Sequence, residues 1–449
     1  MGLKTFLTDH VPGYNAVVLP YHTVKATAAA VRYGFPARKM TVIGVTGTNG
    51  KTSTCFMIWK MLNEAGYKTG LCTTVAWGGV PGMKGDGPDG LHEQFEHMTT
   101  ADSFTLNKRI NAIAKAGAEF LVLEVTSHAL AQHRILGMPI EVAVMTNVTH
   151  EHLDYHKTFE RYRDAKRKLF KRAKFGIVNA DDKSAAYFLT DCKEHLTYGV
   201  KKGQLRARDI ELAASGVKYT CGDIKITRSK KAVGVTDGSD YAVSEINIET
   251  QIPGEFNVYN SLAATAVGLR LGLTESQIEK GIKALSSVEG RMNRVDEGQN
   301  FDVIVDYAHT PDAVQKVFDS VVPSKKAHII TIHGGAGRRD ESTRAERGEI
   351  CARNSDIFIV TEDDSRDEDP AEIAQMFVDG ATKAGMKVGE NLLIELDRKK
   401  AIKKAFELAK KNDLVLVLGK GHEKTILRAD GPHDFEDLKV SRELLKKMK

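Results

Sequence analysis

Apolar residues along this 449-residue chain gather into short, nearly continuous runs separated by longer amphipathic stretches. Residues 41–45, 120–124, 140–146 and 175–179 read as buried strands, because their apolar positions are consecutive rather than alternating. Between them, residues 103–116 and 158–173 repeat apolar positions at helical spacing. This alternation predicts a doubly wound α/β domain. From 196 to 252 the period falls to two, as in Val217-Lys218-Tyr219-Thr220-Cys221, with glycine and Lys-Lys turns, so a peripheral β-ribbon layer is expected there. Helical spacing returns over 257–271 and 275–285. A second α/β series follows, with strands at 301–305, 328–332, 356–361, 391–396 and 414–418. The chain therefore divides into a short N-terminal piece over 1–38, a central α/β domain over 39–289 and a C-terminal α/β domain over 290–449.

The second series carries unusual residues after its strands: Asp306-Tyr307-Ala308-His309, Gly334-Gly335-Ala336-Gly337, Asp363-Asp364-Ser365-Arg366 and Gly419-Lys420-Gly421-His422-Glu423. Open α/β sheets place ligands at such strand ends, and two domains with facing loops predict a cleft between them. Candidate chemistry is densest at 40–54, MTVIGVTGTNGKTST, where an apolar strand runs into a glycine turn and then a helix. That is a phosphate cradle. Gly47, Thr48, Asn49 and Gly50 turn backbone N–H groups toward phosphate oxygens, Lys51 adds charge, the Thr52 hydroxyl suits Mg²⁺, and Ser53 continues into the helix. The general P-loop spacing asks for a glycine at position 45, where Val45 stands.

Length sets a prior of about three domains. An apolar content of 42% and a charged content of 27% are ordinary for a globular protein and exclude a disordered or fibrous chain. No apolar run approaches membrane-spanning length, and residues 1–13 lack the basic start and apolar core of a signal peptide. The net charge of +5 resides in runs such as 161–174 and 399–411, where acidic residues interleave and base-stacking aromatics are missing. They read as solvated helix faces rather than a nucleic-acid surface. Cys55, Cys72, Cys192, Cys221 and Cys351 lack metal-type spacing, which fits reduced thiols and argues against zinc.

Two further stretches sharpen the chemistry. In FLVLEVTSH, residues 120–128, Glu124 ends an apolar strand, where a carboxylate beside a P-loop is suited to Mg²⁺. In THEHLDYH, residues 149–156, three histidines and two carboxylates lie without zinc-type spacing, so a loop facing phosphates and magnesium is expected.

TGTNGKTS, LEVTSHALAQHR, TNVTHEHLDYH, Asp164-Ala165-Lys166, GEFNVYN, Gly290-Arg291, DYAHTPDA, GGAGRRD, TEDDSR and GKGHE follow one another in an order that resembles the Mur ligases, nearest their MurE type, over residues 35–445. The resemblance implies a P-loop central ATPase domain and a Rossmann-like C-terminal domain. It implies a cytoplasmic, monomeric, ATP- and Mg²⁺-dependent acid–amino-acid ligase of peptidoglycan biosynthesis. ATP would convert a peptide carboxylate to an acyl phosphate, which an incoming amine attacks. The acceptor would be UDP-N-acetylmuramoyl-L-Ala-D-Glu and the amine a diamino acid, meso-diaminopimelate favoured and L-lysine next. Lys51 and Thr52 would hold phosphates and Mg²⁺; Glu124 and His152 would bind metal; Lys166 looks like the family's carbamylated lysine, an amine turned carboxylate by CO₂. Asn257 and Asn260 look like adenine-side residues, with Arg291, Asp306 and His309 reaching ATP from the C-terminal domain. Thr99, Thr100, Ser127, Gln132 and Arg134 match the muramoyl-peptide positions; Arg339, Asp363, Asp364, Arg366, Gly419 and Glu423 match the amino-acid pocket.

The chain departs from the family's pattern in three places. About forty residues precede the P-loop strand where a UDP-binding domain is usual, so a truncated N-terminal domain is expected and the UDP contacts are open. The usual Asp-Asn-Pro-Arg loop is Asp363-Asp364-Ser365-Arg366: Arg366 suits a distal carboxylate, while Asp364 suits a distal ammonium. The usual Asp-Lys-x-Lys-Arg is Asp340-Glu341-Ser342-Thr343-Arg344, with less positive charge. The alternatives are a related ligase on a non-UDP acceptor (pseudomurein, cyanophycin-like or folyl-polyglutamate type), a P-loop switch or motor, and a non-catalytic scaffold. No guanine-reading box or helicase motif is present, and Lys51, Glu124, His152 and Lys166 together argue against a scaffold.

Overall fold

A computed structural model of the chain describes residues 14–94, 98–213, 216–227, 240–321 and 327–448. Residues 1–13, part of the expected N-terminal piece, lie outside it. The helix Tyr14–Arg32 packs along the helix Ser103–Lys115, with Lys25 Nζ 3.3 Å from Asp102, the N-cap of that second helix. It extends the central domain.

The central sheet has nine strands: β1 (Thr41–Thr46), β2 (Thr69–Cys72), β3 (Ala76–Gly78), β4 (Leu91–Glu93), β5 (Phe120–Glu124), β6 (Ile140–Met145), β7 (Phe175–Asn179), β8 (Glu194–Gly199) and β9 (Leu205–Arg206). Their spatial order is β4-β3-β2-β5-β1-β6-β7-β8-β9. The P-loop strand β1 thus runs in the middle, parallel to β5 and β6, with Val45 opposite both Glu124 and Val144. That register delivers the P-loop and Glu124 to the same sheet edge. The ribbon layer is present as β10 (Arg208–Ala213), β11 (Gly216–Cys221) and β14 (Ile246–Thr250), with the hairpin β12 (Ile224–Thr227) and β13 (Asp240–Val243) beside it. Its start is corrected from residue 196: β8 pairs in parallel with β7, and Leu196 and Tyr198 are core residues. Their period of two comes from an outer strand of the main sheet, covered on one face, rather than from the ribbon.

Helix Phe256–Leu271 is buried nearly all round because it packs against the P-loop helix Lys51–Glu64 as well as the sheet. The next helix, Glu275–Lys283, starts at a capping box between Thr274 and Gln277.

The C-terminal sheet comprises β15 (Asn293–Arg294), β16 (Asp302–Asp306), β17 (Ile329–His333), β18 (Ile357–Val360), β19 (Leu392–Ile394) and β20 (Leu414–Leu418), ordered β15-β16-β20-β17-β18-β19. All neighbours pair in parallel except β15. A small hairpin, β21 (Thr425–Arg428) and β22 (Gly431–Asp434), follows. One ion pair inside this domain has no exposure: Arg398 Nε and Nη2 donate to the two carboxylate oxygens of Asp437 at 2.8 and 2.7 Å. The same guanidinium donates to the carbonyls of Glu362 and Leu418, at the ends of β18 and β20.

Candidate active site

The P-loop is shaped by two close approaches. At Gly50, with φ 83°, a Cβ would sit 2.3 Å from Asn260 Oδ1; at Gly47 it would sit 1.9 Å from Thr146 Oγ1. Glycine lets the backbone press against its supports. Asn147 adds another, its Oδ1 accepting from the Asn49 amide at 2.9 Å. Thr52 Oγ1 is 3.1 Å from both oxygens of the buried Glu124, which also accepts from the Thr74 amide and hydroxyl. Lys51 Nζ donates to Thr48 O, and Ser53 is buried in the first helical turn.

Lys166 lies one layer behind the loop, buried, its Nζ donating to Gly47 O at 2.6 Å. Burial first, and the Lys51 charge second, push its ammonium well below the usual lysine range. The stretch 149–156 is a loop followed by a short helix, Leu153–His156, rather than loop throughout. His152 caps that helix with φ 56° and lies 3.6 Å from Glu151 Oε1. His156 turns inward to Ser127 Oγ at 3.0 Å. Despite its burial, Glu151 is held well below the usual carboxylate range, chiefly by His152, with further lowering from His309 and Lys51.

The C-terminal domain closes over this face. Arg291 Nη2 donates to Thr52 Oγ1 at 3.3 Å, His309 Nε2 lies 3.7 Å from Glu151 Oε1, and Asn49 Nδ2 donates to Asp312 Oδ2 at 2.6 Å. The cleft between the domains has a volume of about 540 Å³ and reaches from the P-loop, Glu124 and His152 to Arg339, Asp363, Asp364, Arg366, Gly419 and Glu423.

Several expected residues stand behind the cleft wall instead. Asp306 accepts from the amides of Met292 and Ala308, bracing the Arg291 loop from a buried position. Asn257 and Asn260 bond one another, and Asn260 also accepts from Thr54 of the P-loop helix, so they support the cradle rather than line it. Of the muramoyl-peptide positions, Thr99 reaches the cleft. Thr100 is buried and donates to Glu124 O, and Arg134 turns onto Gln132 Oε1 and Thr100 O.

At the far end, Lys420 Nζ donates to Asp363 at 3.2 Å and to Asp364 and Glu423 at 2.8 Å each. Asp364 Oδ1 also accepts from Leu427 N, and Arg366 Nη1 donates to Gly337 O, joining the loops that follow β18, β20 and β17. The sequence assigns no individual role to Glu151, Asp312 or Lys420. All three sit inside motifs already singled out, Glu151 in THEHLDYH, Lys420 in GKGHE and Asp312 in DYAHTPDA.

Two family models match the chain: Mur ligase middle domain over residues 45–268, and Mur ligase, glutamate ligase domain, over 290–421. A Clostridium acetobutylicum protein named UDP-N-acetylmuramoyl-L-alanyl-D-glutamate--2,6-diaminopimelate ligase 1 is 35% identical over 428 residues, 94% of this chain and 82% of that one. The chain belongs to the Mur ligase family. A Treponema denticola UDP-N-acetylmuramyl-tripeptide synthetase is 37% identical, covering 93% of this chain and 78% of that one. A solved UDP-N-acetylmuramoyl-L-alanyl-D-glutamate--2,6-diaminopimelate ligase superposes with a TM-score of 0.60 at 26% identity, over 95% of this chain and 83% of its own.

Mur ligases use ATP and Mg²⁺, and the residues here fit both. The Thr52 hydroxyl and Glu124 carboxylate are hard oxygen donors of the kind Mg²⁺ selects. Arg291 Nε is a buried donor with no protein partner among the described residues, suited to a phosphate oxygen. No helix among the described residues is long and apolar enough to cross a membrane.

Proposed function

We propose that the chain joins meso-diaminopimelate to the D-Glu carboxylate of UDP-N-acetylmuramoyl-L-Ala-D-Glu, with ATP cleaved to ADP and phosphate, in peptidoglycan biosynthesis. The observation that carries this reading is one continuous cleft with a phosphate cradle at one end and a pocket of mixed charge at the other. Lys51, Arg291 and the P-loop amides hold and neutralise the ATP phosphates, which is most of what phosphoryl transfer asks of a protein. Magnesium, when bound by Thr52, Glu124 and His152, supplies further charge neutralisation. Carbamylation of Lys166 would supply a further carboxylate for the metal, and the neutral amine favoured by its burial is the form that adds CO₂. The peptide carboxylate gains a phosphoryl group, the amine attacks the acyl phosphate, and phosphate leaves as the amide forms.

The mixed pocket favours a diamino acid whose distal end carries both charges. Asp364 is paired with Lys420, so its negative charge weighs less for a bare distal ammonium than the sequence suggests, and Arg366 at the cleft weighs for a distal carboxylate. ADP release with this acceptor, comparing meso-diaminopimelate, L-lysine and L-ornithine, tests the reading. The same acceptor without UDP tests whether the nucleotide is read at all. Turnover only with a different acceptor or amine sinks the proposal. Arg366→Ala should lower kcat/KM for diaminopimelate by about 30-fold, the worth of one charge-assisted contact, while L-lysine loses much less. Equal loss on both amines means that Arg366 does not read the distal carboxylate.

A further inference from the structure

We propose that Lys420 is a positioning residue for the amine substrate: it gathers Asp363, Asp364 and Glu423 around one buried ammonium and so keeps Glu423 ionised toward the incoming amino group. This rests on the reading of the cleft as a diamino-acid ligase site. Ligand oxygens of the three carboxylates lie within 4.8 Å of one another, a spacing at which they do not all ionise without a cation. Lys420 is that cation, with no exposure and an N–H directed at each carboxylate. An ammonium has three donors, and here three acceptors take them all. Lys420 therefore has none left for substrate and acts through its partners.

Among those partners Glu423 is the outward one. Its side chain is 19% exposed against 7% for Asp363 and 4% for Asp364. Its Oε2 faces Lys420, and its Oε1 accepts no hydrogen bond among the described residues. With one positive and three negative charges the cluster carries two net negative charges. The Glu423 carboxyl lies above the usual glutamate range: burial raises it first, Lys420 is the group that pulls it back, and Asp363 and Asp364 push it further up; the charges of Arg366 and Arg398 and the Tyr307 phenol also act on it. Take the lysine away, and a proton must take its place. Glu423, nearest the cleft, is the group that accepts it and then no longer holds an ammonium.

Lys420→Met should raise KM for the diamino acid about tenfold or more near neutral pH, recovering as pH rises, while KM for ATP stays within about threefold. Lys420→Arg, which keeps the cation, should fall between. The double variant K420M/D364N restores two net negative charges without the lysine and should return the Glu423 titration toward its native position. A loss confined to kcat, or an amine KM independent of pH, overturns the proposal. A second measurement does not depend on turnover. In protein carrying ¹³C-carboxyl glutamate, the resonance missing from Glu423→Gln identifies Glu423. It should be ionised at neutral pH in the native chain and protonated in Lys420→Met. If that variant does not fold, Asp364→Asn alone should lower the Glu423 midpoint, one like charge being gone. An ionised Glu423 in Lys420→Met, or an unmoved midpoint in Asp364→Asn, overturns the role of Lys420. A native enzyme that turns over with no amine overturns the ligase reading instead.

Discussion

Lys166→Ala should lower amine-dependent ADP release by about 10³-fold, on the order of 4 kcal/mol of transition-state stabilisation, while the fold survives. The side chain is buried behind the P-loop with one hydrogen bond, to Gly47 O, and its ammonium is disfavoured by burial and by Lys51. A residue kept so far from its ordinary charge state costs stability. Its folded pKa lies below the unfolded one, so between the two the unfolded chain binds more protons, and stability rises with pH through that window up to the ordinary lysine range. Lys166→Met removes that cost and should match or exceed the native chain in urea at neutral pH. The gap should narrow as pH approaches about 10.5, where the unfolded lysine also loses its proton. Partial recovery of Lys166→Ala by formate or acetate would mark the missing group as a carboxylate. Near-native activity of Lys166→Ala would remove the carbamate from the mechanism.

Asp437→Ala should destabilise the C-terminal domain by about 3–5 kcal/mol, the usual effect of leaving a buried charge without its partner. Arg398 and Asp437 are both fully buried and doubly hydrogen-bonded, on two helices that pack against each other. Removing both charges, as Arg398→Leu with Asp437→Leu, should cost much less, because no lone charge stays inside. The arginine also ties the Glu362 and Leu418 carbonyls, from which the Asp363 and Gly419 loops depart. Asp437→Ala should therefore raise the amine KM even where the protein is still folded. Urea denaturation followed by far-UV circular dichroism reads the first effect, and amine-dependent turnover reads the second. A stability loss below about 1 kcal/mol would mean that water or another carboxylate replaces Asp437.

The elements that the chain wrote locally were legible without coordinates. Continuous apolar runs marked β1, β5, β7 and β20 to within a residue, because a strand covered on both faces leaves no polar alternation. The phosphate cradle was legible because its glycines and Lys51-Thr52 are consecutive and their geometry is local. Residues 196–199 misled, since alternation looks the same in a ribbon and in an outer strand of a main sheet.

What the tertiary structure alone decided is which strand ends meet. The order β16-β20-β17-β18 sets loops far apart in the chain side by side, so that Lys420 finds Asp363 and Asp364, some 56 residues away. Domain closure likewise pairs Asn49 with Asp312, while packing inside each domain turns Asp306, Asn257 and Asn260 into braces behind the wall. A sequence states each side chain's chemistry and its neighbours along the chain. Charge, burial and donor count at a site depend on neighbours across space, and those follow from strand order and domain closure.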